Sequence, residues 1–91
     1  MYALLTVVDF TLGKSEEEAR KVLKSQLIPA LKQAPGFVKG LWFGDDNQGH
    51  GLVVFETKEQ AEQANQAVTP GSESMGAHVV RSVVYPLHAE A

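Results

Sequence analysis

The chain has 91 residues, 44% of them apolar, a formal net charge of −3 and no cysteine. That length makes a single domain over residues 1–91 with a thin core, and the apolar share excludes disorder by composition. The acidic balance argues against a phosphate-backbone binder, and the lack of thiols removes disulfides and thiolate metal sites.

Residues 2–10 read as the first strand. Leu4, Leu5, Val7 and Val8 put apolar side chains on both faces, as in a strand covered on both sides. A loop at 11–14 leads to Ser15, which with Glu18 forms a capping box for the first helix. Ala19, Val22, Leu23, Leu27 and Ala30 fall at helical spacing and form its apolar face. Pro29 lacks the donor that the helix ladder needs, so a kink or restart is expected there, with Leu31 still facing the core. Pro35-Gly36 ends the helix.

Residues 37–43 read as the second strand, with Gly40 marking a bulge or a close backbone contact. Residues 44–49 are a turn by composition, and 51–56 the third strand. Thr57 caps the second helix, Gln60 completes a second capping box, and Ala61, Ala64, Ala67 and Val68 supply its buried stripe. Thr69-Pro70-Gly71-Ser72 stops the helix, a loop runs through 73–76, and 77–85 is the fourth strand. Residues 88–91 read as a loose tail.

The element order is therefore βαββαβ. This is the α+β, ferredoxin-like plan: a four-stranded antiparallel sheet with two helices on one face. The opposite face is left open and carries Leu52 and Val54. An apolar face of that kind usually marks a partner or a ligand.

Ala34-Pro35-Gly36-Phe37, and the run from Val54-Phe55-Glu56-Thr57 to Gln63-Ala64, resemble the dimeric α+β barrel group, which includes the antibiotic-biosynthesis-monooxygenase-like proteins. The resemblance covers almost the whole chain. It implies a homodimer whose sheets pack face to face, here through Leu52 and Val54. It also implies a small-ligand cavity between sheet and helices, and in some members cofactor-independent oxygenation. Members that oxidise aromatic substrates or degrade heme use an asparagine, a tryptophan and a histidine or tyrosine. Strand one here has no asparagine, helix two has neither tryptophan nor histidine, and Trp42 is the only tryptophan, so that catalytic set does not carry across. The alternative is an interaction module without catalysis.

Gln48-Gly49-His50-Gly51-Leu52-Val53-Val54-Phe55 also resembles the third-strand signature of the RNA-recognition motif: basic, Gly, aromatic, Gly or Ala, aromatic, aliphatic, any, aromatic. The glycines, Val53 and Phe55 match. The contact positions are Gln48, His50 and Leu52, and leucine has no ring on which a base can stack. With the acidic balance, no nucleic-acid partner is expected.

The remaining candidates have bland readings. His50, His78 and His88 lack zinc-ligand spacing, so no metal and no other cofactor is expected. Asp9 reads as a cap for the following loop rather than a general base. A ligand, if apolar and aromatic, would sit between the sheet and the first helix, with Trp42, Phe37, Phe43 and Tyr85 as candidate wall residues. No apolar run approaches the ~18 residues of a membrane span. No basic region precedes an apolar core at the N-terminus, so a cytoplasmic protein with no membrane partner is expected.

Overall fold

The computed structural model describes residues 1–10, 17, 20–21, 23–45, 47–66, 73–74 and 77–89. Strand β1 (Tyr2–Phe10) is followed by helix α1 (Ile28–Lys32), β2 (Phe37–Gly44), β3 (Gln48–Phe55), α2 (Lys58–Gln66), a two-residue β4 (Glu73–Ser74) and β5 (Ala77–Pro86). The sheet is antiparallel throughout, in the order β2-β3-β1-β5-β4. Its four long strands are those expected, in ferredoxin-like order. The added β4 corrects the loop expected at 73–76: Glu73 pairs with His78 and Ser74 with Ala77.

The first helix differs from expectation in its phase. A wider, π-type turn over Leu23–Leu27 runs directly into α1, with Pro29 in the first turn of α1. Proline removes one helical donor, and the wider turn shifts the facing residues by roughly one position. Leu31 therefore packs on the core as expected, whereas Ala30 is exposed. The capping box of Ser15 and Glu18, and Ala19 and Val22, lie outside the described residues. After the helix the chain turns at Gly36, whose φ of 78° favours a residue without a side chain. Its carbonyl accepts the Glu56 N–H at 2.9 Å and ties the start of β2 to the end of β3.

The second helix begins as its sequence requires. Gln60 N–H donates to Thr57 Oγ1, and Thr57 N–H donates to Gln60 Oε1, each at 3.2 Å. Two donors that the helix itself cannot satisfy are thereby met. Ala61 is fully buried and lets α2 lie close to the sheet. Ala67 and Val68 fall outside the described residues.

The core lies between helices and sheet. Leu4, Val53, Phe55 and Ala61 form its centre, with Tyr2, Leu31, Ala34, Phe37, Trp42, Ala64 and Val84 packed around them. Phe37 meets Phe55 edge to face at 6.5 Å, a favoured aromatic geometry. Thr6, Ser82 and Asn65 form a half-buried hydroxyl and amide chain that joins the sheet to α2. Among the described residues, no helix is long and apolar enough to cross a membrane.

Candidate nucleic-acid interface

Side chains directly opposite each other in a sheet share a face. Since Leu4, Val53 and Phe55 face the helices, the registers lay out the other face in rows. The row nearest the β2–β3 hairpin is Gln48, Asp9 and His78. Next come Phe43, His50, Val7 and Arg81, then Leu41, Leu52, Leu5 and Val83. The last row is Lys39, Val54, Ala3 and Tyr85. An aliphatic middle row is thus flanked on both sides by rings and cations.

The hairpin that presents the first two rows is tighter than its composition suggested. Asp45 Oδ1 accepts the backbone N–H of both Asn47 and Gln48 at 2.8 Å, and the Asp45 N–H donates to the Gln48 carbonyl at 2.9 Å. The Gln48 N–H, followed by that of Asn47, holds the Asp45 carboxyl below the usual carboxylate range, with a smaller contribution from His50. This side-chain turn lets the strands pair up to Gly44 and Gly49, so β3 starts at Gln48 instead of residue 51.

Phe43 and His50 sit opposite each other and stack, their ring centroids 5.3 Å apart and their planes within 2°. Phe43 keeps 56% of its surface exposed, Leu41 57% and Tyr85 42%. The Nδ1 of His50 is enclosed and has no partner among the described residues, so the ring meets solvent or a ligand through Nε2. Arg81 Nη2 donates to the Tyr85 hydroxyl at 3.3 Å along β5. Gln48 Nε2 donates to Asp9 Oδ1 at 2.9 Å, so Asp9 braces the hairpin residue opposite it; the loop it was expected to cap lies outside the described residues.

The four aromatic residues proposed as a pocket wall do not come together. Phe37 and Trp42 lie on the helix side, where they pack on the core with Leu31 and Ala34. Phe43 and Tyr85 lie on the open side. Bulges hid this in the sequence. The register slips by one between Phe37 and Lys39, and again between Val7 and Val8, where Val80 is the extra residue. Of the two residues assigned to a dimer interface, both lie on the open side; Leu52 is half-buried and Val54 already buried within one chain. No cluster of three or more His, Cys, Asp or Glu side chains suited to a metal occurs among the described residues. His50 is the site residue whose ring partner sequence reasoning missed. The two lie across a hairpin whose register was uncertain.

The fold and this face define a ferredoxin-like α+β domain with one uncovered, aromatic-bearing sheet surface. Its architecture is similar to the second RRM domain of the yeast poly(U)-binding protein, with a TM-score of 0.55 and 20% identity over 99% of this chain and 100% of that one. No protein-family profile matches the chain, and no curated protein sequence matches it. The narrower assignment to the monooxygenase-like dimeric barrels thus finds no family match, while the ferredoxin-like plan stands. The exclusion of nucleic acid as a partner is corrected: the similar fold is an RNA-recognition domain of a protein named for binding poly(U). The exclusion also rested on a charge sum that ignores where the charges sit.

Proposed function

We propose that this chain binds single-stranded nucleic acid on its open sheet face, in the manner of an RNA-recognition motif. The observation that carries this reading is the exposed, stacked Phe43–His50 pair on that face. Stacking of a base on an aromatic ring contributes about 1–3 kcal/mol and tolerates any base. Tyr85 offers a second ring two rows away on the same face. Charge on the face supports the reading as well. Among the described side chains of these rows, Lys39 and Arg81 stand with the carboxylate of Asp9, while Glu59 and Glu62 belong to α2 on the other side. Two cations thus lie on this face of an acidic chain. Leu52 occupies a central position without a ring, so stacking falls to the two flanking rows.

The test is fluorescence anisotropy with pools of single-stranded RNA and DNA at low salt, run beside sedimentation equilibrium. Binding should weaken by about five- to hundredfold in Phe43→Ala. With two cations engaged, affinity should fall with salt at a logarithmic slope of roughly −1 to −2. A chain that binds neither pool at micromolar concentration and sediments as a dimer would overturn the reading. The aliphatic row through Leu41, Leu52, Leu5 and Val83 would then be the seat of a second copy.

A further inference from the structure

Among the described side chains, the row nearest the hairpin holds the carboxylate of Asp9, and its surroundings bear on what that carboxylate can read. Asp9 on β1 lies opposite Gln48 on β3, and Phe43 and His50 stand in the adjacent row, about 7 Å farther along the strands. That separation matches the width of a nucleobase. A base stacked on the rings therefore presents one edge to Asp9 and Gln48.

The chemistry of that row is directional. Gln48 Nε2 already donates one hydrogen to Asp9 Oδ1, which holds both side chains in place. That bond engages Oδ1, and the second carboxylate oxygen is a further acceptor. An ionised carboxylate only accepts, and the Gln48 amide group has a second hydrogen to give. The row thus asks for a base edge with neighbouring N–H donors and a carbonyl beside them. Guanine has that edge: N1–H and the 2-amino group side by side, then O6. Uracil sets its single N3–H between two carbonyls, and one of these would face the carboxylate. Adenine and cytosine each place an unprotonated ring nitrogen next to their amino group.

We propose that Asp9, held by Gln48, reads the Watson–Crick edge of a guanine stacked on Phe43–His50, so that the chain selects guanine-containing single strands. This rests on the nucleic-acid reading above. It assigns Asp9 the reading role and Gln48 both a positioning role and a contact to O6.

The experiment compares a uridine oligomer with the same oligomer carrying one central guanosine, adenosine or inosine, by anisotropy at low salt. Guanosine should bind at least about tenfold more tightly than uridine, as expected for a bidentate contact. Inosine, which lacks the 2-amino group, should fall between them. In Asp9→Asn the ratio of guanosine to uridine affinity should fall to about one, because an asparagine amide no longer accepts both donors. Circular dichroism of the variant checks its fold, and Gln48→Ala gives a second route to the same loss of preference. Equal binding of all oligomers by the wild type, or a preference that survives in Asp9→Asn, overturns the guanine assignment and leaves the nucleic-acid reading standing. Failure to bind any oligomer overturns both.

Discussion

A methyl group added at Gly40 would sit 2.5 Å from Cη2 of Trp42, and one added at Gly51 would sit 3.0 Å from its Nε1. The indole therefore lies across two strands, on backbone that glycine leaves bare. At Gly40 the contact is with the body of a ring packed against the core, so the ring itself must move to admit a side chain. Overpacking of this kind costs about 1–3 kcal/mol. Gly40→Ala should lower the urea midpoint accordingly, and Gly51→Ala should lower it less. An unchanged midpoint in Gly40→Ala would mean that the indole is free to swing aside. The sequence marked Gly40 as a bulge or a close contact. It is the close contact, and the bulge falls two residues earlier, at Val38 between Phe37 and Lys39. The ring that fills the space at Gly40 is local, from Trp42 two residues on in the same strand, so the signal for the close contact was present in the sequence.

At the scale of elements, legibility followed sequence distance. The capping box of α2 joins residues three apart, and both of its bonds form as Thr57 and Gln60 imply. Removing the hydroxyl in Thr57→Ala should cost about 1 kcal/mol of stability. Chemical denaturation checks this, and oligonucleotide affinity should stay unchanged, since α2 packs on the opposite side of the sheet. If stability holds, packing through Ala61 alone sets the start of the helix. The strands β1 and β5 were equally legible from their apolar residues. The pair Glu73–Ser74 was not, because a two-residue strand has no periodicity and exists only through its pairing with Ala77 and His78. The facing of Phe43 against Phe37 was also hidden. An alternating pattern predicts faces only while the register holds, and one extra residue exchanges them.

Over the whole molecule, the order of elements was enough to fix the ferredoxin-like plan, whereas a charge sum says nothing of where the charges sit. A net charge of −3 sums residues on both sides of the sheet, among them Glu59 and Glu62 of α2 and Lys39 and Arg81 of the open face. Charge acts where it sits, and at physiological salt its reach is about 8 Å. The candidate site was legible only in part: His50 and Leu52 were placed as contact positions, whereas the rings and cations of β2 and β5 joined them through long-range pairing.

The position of Trp42 also makes the molecule its own optical gauge. It is the sole tryptophan, and it lies half-buried on the helix side of the same sheet whose far side carries Phe43 and His50. An oligonucleotide held on the open face has the backbone layer between itself and the indole. The emission maximum should then stay fixed through a titration whose anisotropy signal saturates. An apolar aromatic compound lodged beneath α1 would touch the indole surroundings and move the maximum instead. A wavelength shift on adding RNA would place the strand on the wrong side of the sheet and count against the open-face assignment.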